Sequence, residues 1–370
     1  MKDKLDERRQ NASFRQLSSG REGIDFFSND YLGLAQNRAF QEYLQKSSSE
    51  KLYSQGATGS RLISGNHSLH DELEQEIANW SENEAALLFN SGYDANIGLY
   101  SSLLQRGDLI VYDELVHASI RDGIRLGFAR SLSFSHNDIS DLEKKLKEGA
   151  SGRIWVAVES IYSMDGDEAP LRELVKTGKL YGAELIVDEA HTAGIFGDMG
   201  QGLCAKYHLE QHIFARLITF GKAFGTHGAA VVGSKELRSF LINFARSFIY
   251  TTALSPHQSR IIQLSLHHLS AQREMRESLM RKIIYFNSTL KELGLEPYFL
   301  QSISPIQSLL ISGNERAGAV SQDLQKAGFA VKAIIHPTVP AGKERIRISL
   351  HLHNTNSEIK SLLEKIREIL

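Results

Sequence analysis

Cysteine is almost missing from this chain. Cys204 stands alone, so no intrachain disulfide can form and no thiolate cluster can hold a metal. That usage suits a reducing cytoplasm, which is the expected location. Proline is scarce, with 6 residues in 370, far from the composition of a Pro-rich disordered chain. Neither charge sign is in excess: the formal net charge is −2. Nothing in that balance calls for nucleic acid or an anionic membrane surface as partner. No apolar run approaches the roughly 20 residues that span a bilayer. The first residues, Met1-Lys2-Asp3-Lys4-Leu5-Asp6-Glu7-Arg8-Arg9, are charged and lack the apolar stretch of a signal peptide. Internal repeats and low-complexity tracts are also missing. What remains is 42% hydrophobic and 23% charged, a folded chain sized for a large α/β domain plus a smaller one.

Three segments are expected: an N-terminal arm over 1–36, a large domain over 37–256 and a C-terminal domain over 257–370. The arm holds one charged helical stretch, and Phe26–Leu34 reads as a strand breaking into a turn. In the large domain short apolar runs alternate with helical patterns. The strand candidates are Ala85–Asn90, Leu109–Tyr112, Ile154–Glu159, Leu185–Asp188, Leu217–Phe220 and Ala229–Gly233. Apolar residues at 69, 73, 77 and 80 predict a helix over Leu69–Trp80. Ser140-Asp141-Leu142-Glu143 reads as a capping box. Strand–helix alternation predicts a mainly parallel sheet covered by helices. Ser255-Pro256 reads as an N-cap followed by proline at the first helical position. Beyond it, strands are expected at Ile306–Ile311, Ala330–Ile335 and Arg345–Leu350, then a closing helix. The fold class is therefore α/β with a smaller α+β C-terminal domain.

Two motifs carry chemistry together. Leu185-Ile186-Val187-Asp188-Glu189-Ala190-His191 is an apolar run that closes on a carboxylate. Leu217-Ile218-Thr219-Phe220-Gly221-Lys222 is a second such run, followed by a lysine. This pairing is what pyridoxal 5'-phosphate (PLP) needs. The lysine amine can form a Schiff base with the cofactor aldehyde. The carboxylate keeps the pyridine nitrogen protonated, so the ring can accept electrons. Most lysines are solvated surface charges, but Lys222 sits between an apolar run and Gly225, where desolvation would favour a neutral amine.

Other residues fit around this pair, each with an ordinary alternative. The turn Asn90-Ser91-Gly92-Tyr93 leads into a helix whose first amides, from Gly92 and Tyr93, would attract a phosphate, or it is a plain strand–helix turn. His117 either stacks on a flat cofactor ring or is a solvated loop histidine. His191 could donate to the cofactor's phenolic oxygen, and Ser163 could reach the cofactor. Asp165-Gly166 marks a turn, and the neighbouring acidic residues lack the spacing of a calcium loop, so no metal is expected. Thr219, Thr251 and Thr252 either add hydroxyls to the phosphate shell or are ordinary strand threonines. Arg345 and Arg347 share one strand face. Arg347 either grips a substrate carboxylate in two places or belongs to a charged sheet face.

Taken jointly, the motifs resemble those of the α-oxoamine synthases, a branch of the fold-type-I PLP enzymes. The resemblance runs from Leu5 to the C-terminal helix. It rests on Phe27–Leu34, Ser91-Gly92-Tyr93, Ser163–Asp167, Asp188–His191, Thr219–Lys222 and Pro337-Thr338-Val339-Pro340-Ala341-Gly342. It implies a homodimer with shared active sites, in which Thr251 and Thr252 reach the neighbouring subunit's phosphate. It also implies a decarboxylative condensation of an amino acid with an acyl thioester. Within the family, the features match the members that join L-alanine to pimeloyl-CoA or a pimeloyl carrier protein for biotin biosynthesis. Sibling branches make 5-aminolevulinate, 2-amino-3-ketobutyrate or 3-ketosphinganine. Arg15 in the arm and Thr338 would then meet the acyl substrate, and Arg347 with Asn29 the amino-acid carboxylate. Ser60 stands where aminolevulinate synthases carry threonine, which leaves room for the methyl of alanine. His336 replaces a basic residue common near the acyl pocket, so the acyl chain stays open.

Overall fold

The computed structural model describes residues 1–15, 17, 22–49 and 53–370. Arm positions 16 and 18–21 lie outside the described residues. Among the described residues there are twelve strands: β1 (Ile24–Asp25), β2 (Ala85–Phe89), β3 (Leu109–Asp113), β4 (Arg130–Phe134), β5 (Ile154–Glu159), β6 (Ala183–Asp188), β7 (Ala215–Thr219), β8 (Ala229–Gly233), β9 (Ile306–Leu310), β10 (Phe329–Ala330), β11 (Lys332–Ile334) and β12 (Arg345–Ser349). Packing divides the chain into two compact units. The larger comprises Leu34–Tyr162 and Ala169–Arg276; the smaller comprises Met1–Gly33, Ser163–Glu168 and Glu277–Leu370. The expected boundaries stood at 36 and 256. The helix Pro256–Ala271, opened by the Ser255 cap, packs with the larger unit.

The larger unit is built on a seven-stranded sheet of order β2-β8-β7-β6-β5-β3-β4. β8 alone runs against its neighbours, pairing antiparallel with both β2 and β7. The other pairs are parallel. β2, β7 and β8 are buried along their whole length, and β5 nearly so. A strand covered on both faces needs no polar alternation, which is why its apolar run is legible. All strands but β8 therefore end on one side of the sheet, where Asp188, Thr219 and the turn after Phe89 lie. That side is where ligands bind in open α/β sheets.

The sequence reading missed β4, which lies at the sheet edge and is mostly exposed and polar. An edge strand can be specified by its partner's backbone while carrying no apolar run. The helix over Ser68–Trp80 buries Leu69, Leu73, Ile77 and Trp80 as expected. The helix expected at Ser140 instead starts at Ile139. Asp138 caps it, its carboxylate accepting from the Asp141 amide at 3.0 Å. A carboxylate two positions earlier outcompetes the serine for the helix amides.

In the smaller unit β11, β12 and β9 form an antiparallel sheet, and β1 pairs with β10 in parallel. The expected strand Ala330–Ile335 is thus two short strands in different sheets. The strand expected from Phe26 is absent: β1 ends at Asp25, and Phe26–Leu34 is loop and turn. His351 ties the start of this unit to its end. Its ring nitrogens lie 3.1 Å from the carbonyls of Asp25 and Ser28. Among the described residues no helix is long and apolar enough to cross a membrane.

Candidate active site

β6 and β7 are parallel neighbours, so the residues that follow them emerge side by side. Lys222 lies in the turn beyond β7, and His191 in the turn beyond β6. Their side chains meet, Nζ to Nε2, at 2.8 Å. Asp188 closes β6 and is buried, with 6% of its surface exposed. Its Oδ1 accepts from the Ala190 amide at 2.9 Å and its Oδ2 from the Asn96 side chain at 3.0 Å. A buried carboxylate needs such donors to remain an anion.

The phosphate-type turn sits beside this pair. Ser91 caps the helix Gly92–Leu103, its hydroxyl accepting from the Asp94 amide at 3.1 Å and its carbonyl from the Ala95 amide at 3.0 Å. Among the described residues, the Gly92 and Tyr93 amides remain as the open donors of the first turn. Gly92 packs tightly on Thr219: a Cβ there would come within 2.8 Å of Thr219 Cγ2. Thr219 spends its hydroxyl on the Ala190 carbonyl at 3.3 Å. Tyr93 is exposed at its ring and donates its hydroxyl to Asp122 at 2.7 Å. Thr251 and Thr252 lie in a loop and not in a strand. Asn90 at the end of β2 donates to Thr251 Oγ1 at 3.0 Å and to the Thr252 carbonyl at 2.8 Å.

His117 is exposed at the surface, and its ring is nonetheless engaged by the protein. It caps the helix Ala118–Leu126, its Nδ1 accepting from the Ser119 amide at 3.2 Å. Burial lowers its pKa, and the Lys222 ammonium lowers it further, while Asp188 pulls the other way. Asn96 and Ser119, which join Asp188 to His117, were not singled out in the sequence. A polar Asn one turn past Gly92, on a helix against the sheet, was the available signal.

In the smaller unit Arg347 is buried, so it does not belong to a charged sheet face. Its Nε donates to the Ser163 carbonyl at 2.7 Å, its Nη1 to Ser349 Oγ at 3.2 Å, and its Nη2 to Asn29 Oδ1 at 2.9 Å and the Tyr31 hydroxyl at 3.2 Å. Asn29 and Arg347 are thus brought together from opposite ends of the chain. Arg345, its neighbour on the same face, is paired with Asp165. The acidic turn thus supplies Asp165 as an ion-pair partner. Arg15 and Thr338 also meet, Nη2 to Oγ1 at 3.1 Å. Ser60, in the larger unit, lies in a tight loop, its carbonyl accepting from the Ile63 and Gly65 amides.

The larger unit's donor set fits PLP. A lysine amine, a buried carboxylate, two open helix-start amides and a glycine with no room for a Cβ match the aldehyde, the pyridine nitrogen and the phosphate in turn.

Comparison with known proteins agrees. Residues 21–366 match the family Aminotransferase class I and II. A protein of Geobacillus kaustophilus (strain HTA426), provisionally named 8-amino-7-oxononanoate synthase, is 41% identical over 98% of this chain and 95% of its own. A solved serine palmitoyltransferase (SPT), described as holding a PLP internal aldimine, superposes with a TM-score of 0.87 at 30% identity, covering 96% of this chain and 91% of that one. The 8-amino-7-oxononanoate synthase of Francisella tularensis superposes with a TM-score of 0.80 at 30% identity, covering 94% and 97%. The chain belongs to the aminotransferase class I and II family as a fold-type-I, PLP-dependent transferase of the α-oxoamine synthase kind.

Proposed function

We propose that the chain condenses L-alanine with a pimeloyl thioester to give 8-amino-7-oxononanoate, CO2 and free thiol. The observation that carries the chemistry is the meeting of Lys222 and His191 beside Asp188 at one end of the sheet. Bound PLP supplies an aldehyde for amines and a protonated ring that takes up the electrons of a broken Cα bond. Asp188 holds the pyridine proton, and the Gly92 and Tyr93 amides hold the phosphate, with Thr219 beside them. His117 stacks on the ring. His191 and Ser163 donate to the phenolic oxygen. Lys222 takes the α-proton of alanine once its amine is free.

Arg347 and Asn29 bind the amino-acid carboxylate. Four bonds to the protein hold the guanidinium rigid, and of its five N–H donors one, on Nη1, is left over among the described residues. Ser60 leaves room for the alanine methyl. Arg15, held at Thr338, brings a cation to the turn where His336 stands, and serves the acyl chain. The working form is a cytoplasmic homodimer in which Thr251 and exposed Thr252 reach the partner's phosphate. Neither nucleic acid nor membrane takes part.

The test is product mass spectrometry after incubation with alanine and a panel of acyl thioesters, including pimeloyl-CoA and pimeloyl carrier protein. A nine-carbon amino ketone from a pimeloyl donor is expected. Product only from glycine, or only from short acyl donors, would move the chain to an aminolevulinate or aminoketobutyrate synthase.

A further inference from the structure

Asn96 projects from the helix Gly92–Leu103 into the space between Asp188 and the His117 cap. Its side chain is 2% exposed for the whole residue. One nitrogen serves two acceptors: Nδ2 lies 3.0 Å from Asp188 Oδ2 and 2.9 Å from Ser119 Oγ. Ser119 Oγ in turn lies 2.8 Å from His117 Nδ1. The amide oxygen, Oδ1, is buried with no partner among the described residues.

The direction of each proton in this row can be worked out. An ionised carboxylate only accepts, so Asn96 must turn its nitrogen toward Asp188. The second hydrogen on that nitrogen then points at Ser119 Oγ, which accepts it. The Ser119 hydroxyl proton is left to go to His117 Nδ1. The Ser119 backbone amide also donates to Nδ1, at 3.2 Å. Two donors on one ring nitrogen require a lone pair there, so the ring proton resides on Nε2.

We propose that Asn96 is a positioning residue that couples Asp188 to His117, fixing Asp188 as an acceptor and His117 as the neutral Nε2–H tautomer. This rests on the functional reading for what Asp188 and His117 do; the row itself is made of protein groups alone. Its purpose follows from the chemistry. A flat neutral ring can lie against a protonated pyridine, whereas an imidazolium would repel it. A second proton on Nδ1 would face two donors, so the row itself opposes imidazolium formation. The charged groups around the ring are Asp188 on β6, Lys222 beyond β7 and Asp122 on its own helix. They do not all push one way, so the tautomer is decided by the hydrogen-bond row and not by net charge. The lowered pKa of His117 has burial as its largest cause and agrees with this reading.

The test uses the full chain, free of cofactor and ring-15N-labelled at histidine, with His117→Gln to assign the signal. At neutral pH, wild type should show a protonated Nε2 and a bare Nδ1 at His117. Asn96→Leu removes both donations. The Ser119 hydroxyl can then turn and accept, leaving the Ser119 amide as the one donor on Nδ1, so an Nδ1–H population should grow and the titration should move up by about one unit. Ser119→Ala should move it in the same direction by less, and it serves if Asn96→Leu fails to fold. Asn96→Leu should also weaken PLP binding by roughly tenfold, the scale of one hydrogen bond to a charged group. An Nδ1–H tautomer in wild type, or a tautomer and titration unmoved by both variants, overturns the inference. A failure of the condensation reading would leave these signals where they are, so the two ideas fall separately.

Discussion

Lys222 and His191 meet nitrogen to nitrogen at 2.8 Å, each delivered by the turn after one of two adjacent parallel strands. One of the two nitrogens must offer a lone pair to the other's hydrogen. In the turn beyond β7, Lys222 is half-buried and fills no part of the apolar core. Lys222→Ala should therefore keep the fold, judged by circular dichroism and thermal melting. Loss of the base alone should lower turnover by roughly 10²–10⁴-fold. Borohydride treatment of PLP-loaded wild type should fix the cofactor to the peptide containing Lys222. Label on another lysine would remove Lys222 from its proposed role.

The residue after Asp188 sets up a second prediction. Glu189 is fully buried and pairs with fully buried Arg216, whose Nε donates to it at 2.6 Å. Arg216 also donates to the Ser81 carbonyl at 2.8 Å, while Glu189 accepts from the Cys204 amide at 2.9 Å. The pair thus pins the turn that carries Asp188 and His191. Arg216→Met leaves an uncompensated buried carboxylate and should cost about 3–5 kcal/mol. Arg216→Met with Glu189→Leu should recover part of that loss. Urea unfolding midpoints of the two variants decide it; equal losses would mean that the bonds to Ser81 and Cys204 matter more than the charge pair.

The sequence was most legible where burial was two-sided. β2, β5, β6, β7 and β8 announce themselves because strands covered on both faces are continuous apolar runs. β4 is silent because its edge position demands nothing of its side chains. The site was legible where a residue type has few other uses at a strand end, as with Asp188 and Lys222. Asn96 and Ser119 stayed hidden because their roles come from who faces them across the fold: Asn96 and Asp188 are 92 positions apart in sequence. Arg345 and Arg347 show the same limit. Their shared strand face was visible, but the partners Asp165 and Asn29, one for each, come from distant loops.

Acid should weaken the smaller unit through His351. Burial is the first cause of its lowered pKa; the neighbouring His353 adds to it and Asp25 opposes it. The folded state therefore prefers the neutral ring, while the unfolded chain takes up a proton near the ordinary value of about 6.5. Its contribution is complete above that value and is lost as pH falls through the lower, folded value. Urea midpoints should be flat from about pH 8 to 7 and fall below about pH 6. His351→Asn should be less stable at pH 8 but show a shallower fall. A variant with an unchanged acid slope would assign that slope to other groups.

The preference for alanine should reside in Ser60. Its loop is folded back on itself: the Ser60 carbonyl accepts from the Ile63 amide at 3.1 Å and the Gly65 amide at 2.9 Å. A Cβ at Gly65 would strike the Gly59 carbonyl oxygen at 2.1 Å, and that carbonyl is itself taken by the Ala253 amide at 3.0 Å. So packed a loop has little freedom to move aside for an added methyl. Ser60→Thr should therefore cost space in the pocket and not merely shift the backbone. One methylene-sized change in a pocket is worth about 1–3 kcal/mol, or roughly 10–200-fold in kcat/KM. Threonine should depress kcat/KM for alanine by that factor while leaving glycine nearly unchanged, because glycine has no methyl to clash. Specificity constants for both amino acids, measured in wild type and Ser60→Thr, make the comparison. If wild type already prefers glycine, or if the two substrates suffer equally, Ser60 does not read the methyl and the alanine assignment loses its structural support.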